Sequence, residues 1–271
     1  MSPTSTDLTK RYELAQRAAS AAGRLTLRYF RQEIQVHRKA DDSPVTIADR
    51  EAEKLLRYEI AKSFPADAIV GEEYPETPGT SGFRWILDPI DGTKSFISGV
   101  PLYGTLVGVE HNGQSVIGVI YIPGLDECVH AARGHGAWYE AKGTTPQPAR
   151  VSTCPQLSQG LLLTSQIDSF ARRGASRAYQ QLEQAAWITR TWGDCYGYLL
   201  VATGRAAVMI DPVMNLWDAG AVQPILEESG GTFTDWQGTS TIYGGEGIAT
   251  NGHVLSEVLT VTRQFPQTVT C

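Results

Sequence analysis

The 271-residue sequence lacks several features that mark whole classes of protein. It contains no apolar run of about eighteen residues, and its N-terminal segment is rich in Arg, Glu and Gln rather than having the basic start and apolar centre of an export signal. Its four cysteines form no C-x-x-C pair and no disulfide framework. We therefore expect a cytoplasmic protein with reduced thiols and no membrane partner. The cysteines are Cys128, Cys154, Cys195 and Cys271.

Basic charge is also scarce, and the histidines show no pattern. A net charge of -6 and a pI near 5.4 argue against a protein that binds nucleic acid through a basic face. The five histidines lack the spacing of zinc ligands. The glycine-rich segment YGGEGIATNG, at 243–252, lacks a dinucleotide-binding fingerprint. We interpret it as a flexible loop near a site.

The N-terminal half shows both helix and strand patterns. Apolar residues at helical spacing predict two helices, and short apolar runs bounded by Gly, Pro and charge predict two strands. Asn112-Gly113 lies between segments that alternate Val and Ile with small residues, which predicts a two-residue hairpin turn in an antiparallel meander to about residue 139. The helices are predicted at 12–30 and 48–64, and the strands at 68–73 and 83–88.

The C-terminal half alternates strands and helices, which indicates α/β order in layered sheets and helices. The segment 141–150 holds two prolines and a glycine, so we place the boundary between two halves there, at 1–145 and 146–271. Pro224 is expected to kink its helix or to lie in the first turn. The predicted elements, beginning with a strand and alternating, are 160–165, 170–187, 188–193, 195–204, 206–211 and 219–231.

Four acidic residues lie just beyond a predicted strand or at the start of a predicted helix, where sites are often built. Carboxylates brought together resist joint ionisation unless a cation joins them. Oxygen-only ligation suits Mg²⁺. We therefore predict a magnesium site, with the carbonyl of Ile90 as a further ligand because Pro89 fixes the backbone beside it. The four acids are Glu72, Asp88, Asp91 and Asp218.

The Gly-Thr step after the second aspartate predicts a phosphate-binding turn. If Asp91 caps a helix that begins near Gly92, the free amides of Gly92 and Thr93 face the metals and favour a phosphate oxygen. The Thr93 hydroxyl can orient a metal-bound water, whose pKa the metal lowers. Asp49, at the start of the second predicted helix, is the candidate that accepts the proton.

Each of these residues alone also has a simpler interpretation. Asp49 can be a helix N-cap followed by two glutamates in the first turn, and Asp218 can be a cap as well. An Asp-x-x-Asp pair is often only a solvated turn. The magnesium hypothesis therefore depends on the conjunction of the motifs.

Together, the motifs resemble those of the inositol monophosphatase family of Mg²⁺-dependent, lithium-sensitive phosphatases. The resemblance rests on VTIAD at 45–49, GEE at 71–73, WILDPIDGTKSF at 85–96 and NLWDAGA at 215–221, and it extends from about residue 12 to 263. It implies alternating α-β-α-β-α layers of the inositol monophosphatase and fructose-1,6-bisphosphatase type, and a homodimer.

The resemblance also implies roles, position by position. Glu72, Asp88, Asp91, Asp218 and the Ile90 carbonyl match the ligands of two or three Mg²⁺ ions. Asp49 and Thr93 match the pair that activates water, with Glu72 also catalytic, and Gly92 and Thr93 match the turn that holds phosphate. The implied reaction is direct attack of a metal-activated water on a small phosphate monoester.

The segments at 88–108 and 190–212 are most similar to the histidinol-phosphatases of this family, which act in histidine biosynthesis. Inositol-cleaving members usually carry a small Thr/Ser-Ala pair where this chain has Asp194-Cys195. An acid there would pair with the ammonium and imidazole of histidinol phosphate, whereas a polyol needs only neutral partners. The substrate candidates are Asp194, Asp211 and Arg190, with Trp192, Arg205 and Asn251 as further residues that can equally be structural.

Other activities remain open as alternatives. Inositol-1-monophosphatase is one alternative. The 3′(2′),5′-bisphosphate nucleotidases are another, because the lysine at position 94 resembles those members of the family. GDCYG at 193–197 has the Gly-x-nucleophile-x-Gly form, so a hydrolase with Cys195 as nucleophile and His253 as base is a third. A binding protein that has lost turnover is a fourth, against which the intact pair of Asp49 and Thr93 argues.

Overall fold

The computed structural model describes residues 5–40 and 43–267, in which helices and strands alternate with turns and loops. The helices are α1 Ser5–Thr26, α2 Ile47–Ser63, α3 Thr93–Ile97, α4 Asp168–Arg172, α5 Ser176–Ala185, α6 Cys195–Ala202, α7 Leu216–Ala219, α8 Val222–Glu228 and α9 Leu255–Thr262. The strands are β1 His37–Arg38, β2 Pro44–Val45, β3 Ala68–Gly71, β4 Phe83–Asp91, β5 Gly104–His111, β6 Gln114–Ile122, β7 Glu127–Ala132, β8 Ala137–Ala141, β9 Gln147–Pro148, β10 Leu161–Leu163, β11 Ile188–Arg190, β12 Val208–Asp211, β13 Thr232–Thr234 and β14 Gly247–Thr250.

A seven-stranded sheet follows the chain order, from β3 at one edge to β9 at the other. Its first two strands are parallel, and the others form an antiparallel meander. Asn112 and Gly113 connect β5 to β6 with φ values of 50° and 79°, as a two-residue hairpin turn of type I′ requires. The predicted hairpin and meander are therefore confirmed, and the meander continues beyond residue 139.

A second, five-stranded sheet has the order β11-β10-β12-β14-β13. In it β10 is parallel to β11 and β12, whereas β14 is antiparallel to both of its neighbours. The expectation of a flexible loop over 243–252 is wrong for its second part, because residues 247–250 form the buried strand β14. Gly247 is needed there, since a Cβ would lie 2.7 Å from the sulfur of Met214.

The helices and sheets form five layers, and clusters of buried apolar side chains lie between the layers. α1 and α2 cover one face of the first sheet. α6, α7 and α8 lie between the two sheets, and α4, α5 and α9 cover the outer face of the second. Gly118 lets α8 approach the first sheet, because a Cβ on it would lie 2.0 Å from the carbonyl oxygen of Ala221. The predicted α-β-α-β-α architecture is confirmed.

Several element boundaries differ from the prediction. The helix predicted over 170–187 is two helices, α4 and α5, because Gly174 between them has a φ of 77° that ends the first. The helix predicted over 219–231 is α8, preceded by the separate short helix α7, and Pro224 lies in the first turn of α8.

The segment predicted to separate the halves contributes β9 to the first sheet, and the division at residue 145 stays a prediction. Cys271 lies outside the described residues, and the other three cysteines are free thiols. In the described ranges, none of the helices has both the length and the apolar character that crossing a membrane requires.

Candidate active site

Three of the predicted acids meet where β4 ends. One carboxylate oxygen from each of Asp88, Asp91 and Asp218 lies within 4.8 Å of the other two. Asp88 and Asp91 come from β4 itself, and Asp218 comes from α7, which packs on β4. Oxygen donors at this spacing fit a divalent cation of the Mg²⁺ type.

An irregularity in β4 brings Asp88 and Asp91 together. In a regular strand, residues three apart point to opposite faces. Asp88 pairs with Leu106 of β5 and Asp91 with Gly104, so β4 holds one extra residue over this step. Such a bulge re-aims the side chains that follow it. The Thr105 hydroxyl, which donates to the carbonyl of Pro89 at 2.8 Å, holds the bulge in place.

Each of the three carboxylates accepts a hydrogen bond from one backbone N–H. Asp88 Oδ1 accepts from Ile90 at 3.1 Å, Asp91 Oδ2 accepts from Cys195, and Asp218 Oδ2 accepts from Asn215 at 2.7 Å. Asp88 and Asp218 also share a side-chain hydrogen bond, which a cation that joins the two carboxylates would replace. The expectation that Asp91 caps a helix is wrong, because Gly92, with a φ of 87°, is the N-cap of α3.

Electrostatics in the site also favour a cation. Burial, and then the charges of Glu72 and Asp91, raise the pKa of Asp88 well above its ordinary value. Burial and the charge of Asp194 do the same for Asp91, and burial raises the pKa of Asp218 to about 6. Uncompensated carboxylates in such a place resist ionisation, and a bound divalent cation removes that penalty.

Glu72 lies directly after β3, beside the three aspartates. The sequence did not predict its hydrogen-bond partner, which is Lys39. Lys39 Nζ donates to Glu72 Oε1 at 2.7 Å and to Glu73 Oε1 at 2.6 Å. Burial raises the pKa of Glu72 to about 7, against the opposing effect of Lys39. No sequence signal identifies Lys39, because it lies 33 positions from Glu72 in a short two-stranded hairpin.

Asp49 and Thr93 also meet, although Asp49 is not an N-cap. Thr46 is the N-cap of α2, and Asp49 Oδ2 accepts hydrogen bonds from the Thr46 amide at 2.8 Å and hydroxyl at 2.6 Å. This capping box turns Asp49 Oδ1 toward Thr93, whose hydroxyl lies 3.4 Å from it and 3.1 Å from the Ile90 carbonyl oxygen. The Thr93 hydroxyl thus lies between a carboxylate and a predicted metal ligand.

Beside these acids lies a cavity of about 160 Å³ that contains two of the three predicted substrate residues. Asp194 borders the turn at Gly92, since a Cβ on that glycine would lie 2.8 Å from Asp194 Oδ2. Burial raises the pKa of Asp194. The cavity is lined by Asp91, Ser165, Gln166, Ser169, Arg172, Asp194, Tyr198, Asp211, Val213, Met214 and Asp218.

Asp211 is held by neighbours that sequence reasoning missed. Its two oxygens accept from the Ser165 amide and hydroxyl, each at 3.1 Å, and from the Tyr198 hydroxyl at 2.8 Å. Lys94 Nζ donates to Gln166 Oε1. Ser165 and Gln166 follow β10, and the position of Ser165 at the carboxyl end of a parallel strand was the one available signal.

The remaining candidates lie elsewhere. Arg190 is exposed on the edge strand β11, donates to the adjacent Thr189 carbonyl and does not line the cavity, so its role as a substrate ligand stays a prediction. Trp192 is exposed and faces Arg190. Arg205 pairs with Glu127 at 2.9 Å, and Asn251 bonds to residues 152 and 154.

Cys195 does not fit the thiol-hydrolase alternative. Its side chain is fully buried, and a Cβ on Gly104 would lie 2.6 Å from its sulfur. Burial, reinforced by the Asp91 charge, raises the pKa of the thiol well above its ordinary value. A nucleophilic cysteine needs access and a lowered pKa, so this alternative is wrong.

Comparisons with known proteins identify relatives of the chain. The chain is 43% identical over 253 residues to the histidinol-phosphatase of Chlorobaculum parvum, covering 93% of this chain and 96% of that protein. It is 35% identical to the histidinol-phosphatase of Mycobacterium tuberculosis, covering 91% and 95%. Among solved structures, the extragenic suppressor protein SuhB of Bartonella henselae superposes with a TM-score of 0.86 at 29% identity, covering 93% and 98%.

The family model described as the inositol monophosphatase family matches residues 7–267, which include every acid of the site. The IMPase of Thermotoga maritima has the same fold, with a TM-score of 0.84, 27% identity and coverage of 94% and 98%. The chain therefore belongs to the inositol monophosphatase family and is a phosphoric monoester hydrolase.

Proposed function

We propose that the chain is a Mg²⁺-dependent histidinol-phosphatase, which converts L-histidinol phosphate and water to L-histidinol and phosphate. The position of Asp194 is the observation that supports this choice of substrate. This half-buried carboxylate borders the proposed phosphate-binding turn at Gly92 and lines the same cavity as Asp91 and Asp218. A leaving group with an ammonium and an imidazole offers this carboxylate cationic donors, whereas a polyol offers only neutral hydroxyl donors.

The ligands for two or three Mg²⁺ ions would be Glu72, Asp88, Asp91, Asp218 and the Ile90 carbonyl. When bound, the cations neutralise the charge that develops on the phosphate oxygens and lower the pKa of water. The amides at Gly92 and Thr93 add donors for a phosphate oxygen. Similarity to the two histidinol-phosphatases and the donor set of the site support this assignment.

Thr93 and Asp49 would take the proton from the attacking water. The Thr93 oxygen would accept a hydrogen bond from the water. Its own hydroxyl lies 3.1 Å from the Ile90 carbonyl oxygen and 3.4 Å from Asp49 Oδ1, and it would donate to Asp49 when the Ile90 carbonyl serves as a metal ligand. Because Thr46 occupies the other Asp49 oxygen, Oδ1 is the atom available to the proton. Burial raises the pKa of Asp49, which favours its holding the proton once transferred.

Inositol 1-phosphate is the second candidate substrate. The hydroxyl-bearing residues Ser165 and Ser169 line the cavity and offer neutral partners to a polyol. The chain is also 32% identical to the inositol-1-monophosphatase of Rhizobium meliloti, over 76% of this chain and 77% of that protein. Asp194 favours histidinol phosphate over inositol 1-phosphate, since a polyol gives this half-buried carboxylate no charged partner.

We further propose that the protein works as a homodimer in the cytoplasm. Trp187 is 69% exposed and Trp192 is 43% exposed, and large aromatic side chains on a surface are typical of protein interfaces. Both residues follow α5 along one segment of the chain. Sedimentation of the Trp187→Ser variant tests this part, because a dimer that uses this surface should weaken.

The experiment that tests the function is phosphate release with Mg²⁺, with and without EDTA, from L-histidinol phosphate, myo-inositol 1-phosphate, fructose 1,6-bisphosphate and adenosine 3′,5′-bisphosphate. A metal-dependent preference of about a hundredfold in kcat/KM for histidinol phosphate, roughly 2.7 kcal/mol, is expected. Preference for another ester would contradict the assigned substrate but not the proposed metal-dependent reaction. Absence of metal-dependent release from all four would overturn the function.

Two variants localise the preference. Asp194→Ser should reduce kcat/KM for histidinol phosphate by at least about tenfold while changing inositol 1-phosphate little, since each lost charge-assisted bond is worth about 1.5 to 3 kcal/mol. Glu76→Ser is the matched control, because this carboxylate is half exposed and lies outside the cavity. Equal losses for both substrates in Asp194→Ser would contradict its role in specificity.

A further inference from the structure

A second carboxylate of α2 lies beside the site without touching the cavity. Glu53 is one helical turn after Asp49, and it is fully buried. Its Oε1 accepts from Arg57 Nε at 2.7 Å, and its Oε2 accepts from the backbone N–H of Glu73 at 2.7 Å. Glu53 therefore binds the peptide unit that directly follows the predicted metal ligand Glu72.

The chain is shaped to admit this carboxylate. A Cβ on Gly71, the residue before Glu72, would lie 2.3 Å from Glu53 Oε1, 2.5 Å from its carboxyl carbon and 2.8 Å from Oε2. Contacts that short are closer than van der Waals separation, so only glycine allows β3 to end against Glu53. The close packing of Gly71 and the hydrogen bond to Glu73 hold the backbone on both sides of Glu72.

Other hydrogen bonds complete the support of this turn. Arg57 Nη2 donates to the carbonyl oxygen of Tyr74 at 2.9 Å, and Nη1 donates to the Thr77 hydroxyl at 3.2 Å. On the opposite side, the N–H of Glu72 donates to the carbonyl oxygen of Leu87 in β4 at 3.2 Å. The turn is thus fixed between α2, which carries Asp49, and β4, which carries Asp88 and Asp91.

We propose that Glu53 is a positioning residue, which fixes the turn after β3 so that Glu72 presents its carboxylate to the metal. This inference rests on the proposed function, because it assigns Glu72 as a ligand. A buried ion pair by itself is weak evidence for a gain in stability. Glu53 instead hydrogen-bonds to the backbone next to Glu72. Residues that support metal ligands in this way commonly orient them.

The test is to measure the Kd for Mn²⁺, used as a probe of the divalent cation site, by electron paramagnetic resonance. The measurement is made on the wild-type protein and on Glu53→Gln. The variant keeps one oxygen acceptor but replaces the other with an amide NH₂ donor, which would face either the donor Arg57 Nε or the N–H of Glu73. We expect the Kd for Mn²⁺ to rise by about 10- to 100-fold. Thermal unfolding in EDTA reports the stability of each protein separately.

Asp67→Asn is the matched control. Asp67 is also a buried carboxylate of this half, bonded to Arg11 by two contacts of 2.8 Å and to Trp85 at 2.9 Å, and it contacts none of the site acids in the described structure. It should lose stability like Glu53→Gln yet keep the wild-type Kd. Equal Kd values for Glu53→Gln and Asp67→Asn would overturn the positioning role.

A double-mutant cycle gives the second, independent readout. Gly71→Ala should weaken Mn²⁺ binding, because its Cβ displaces the Glu53 carboxylate. In the Glu53→Ala background that side chain is absent, so Gly71→Ala should change Kd little further. Additive effects would overturn the inference. Failure of wild type to bind Mn²⁺ would instead overturn the proposed metal site, which keeps the two failures distinct.

Discussion

Asp49 Oδ1 lies 3.4 Å from the Thr93 hydroxyl, although 44 positions separate the two residues. Thr46 fixes this approach by occupying the other Asp49 oxygen with its amide and its hydroxyl. Thr46, the N-cap of α2, therefore also orients the Asp49 carboxylate toward Thr93.

Thr93→Val should lower kcat for phosphate release by about 10²- to 10⁴-fold, the range for loss of a general acid–base group, with KM little changed. Valine keeps the shape of the side chain and removes only the hydroxyl. Thr46→Ser is the control, because it retains the hydroxyl that holds Asp49. Steady-state kinetics check both variants, and a Thr93→Val enzyme with near wild-type kcat would contradict the proton route.

Asp91→Asn should abolish metal-dependent turnover while the fold survives. The amide removes a charge from the cluster of Asp88, Asp91 and Asp218, and it retains an oxygen that can accept from the Cys195 N–H. Circular dichroism and kinetics at saturating Mg²⁺ provide the measurements. Full activity in a folded Asp91→Asn variant would rule out Asp91 as a metal ligand.

In EDTA, the free energy of unfolding should fall as pH rises from about 4 to about 6 because of Asp218. Burial raises the pKa of this group from 3.8 to about 6, so in this window the folded protein binds more protons than the unfolded chain, and stability decreases with pH. Asp218→Asn should lack this contribution and show a shallower decline. Urea unfolding at several pH values tests it, and identical slopes would contradict the shift.

Lys39→Met should lower the Mg²⁺ concentration that gives half-maximal activity. The Lys39 ammonium bonds Glu72 and Glu73 and therefore competes with a cation for the Glu72 carboxylate. Activity measured against Mg²⁺ concentration shows the change. An increased requirement for Mg²⁺ would instead mean that Lys39 helps to hold Glu72 in place.

Gly92→Ala should reduce kcat and lower the free energy of unfolding. Gly92 has a φ of 87°, which costs an L-residue about 1 to 2 kcal/mol, and its new Cβ would lie 2.8 Å from Asp194 Oδ2. Gly113→Ala is the control, because Gly113 also has a positive φ but has open space at its Cβ position. Similar stability losses with activity lost only in Gly92→Ala would confirm that the contact with Asp194 matters.

The local pattern of the sequence was enough to predict helices and strands in layers and to single out three acids that meet in the structure. The hairpin at Asn112-Gly113 follows from the two residues that tolerate positive φ. The acids were found because Asp88, Asp91 and Asp218 lie at element ends, where the backbone leaves the sheet or enters a helix. Family motifs then joined these separate signals into one site.

The tertiary structure decided which atoms of those residues face one another. The bulge in β4 brings Asp88 and Asp91 to one side, and it depends on pairing with β5 rather than on the sequence of β4 alone. Lys39 reaches Glu72 across 33 positions, and Ser165 reaches Asp211 across 46. Propensity and periodicity report short-range preferences, whereas such contacts arise only when layers pack, so the partners of the site residues lay beyond what the sequence by itself determines.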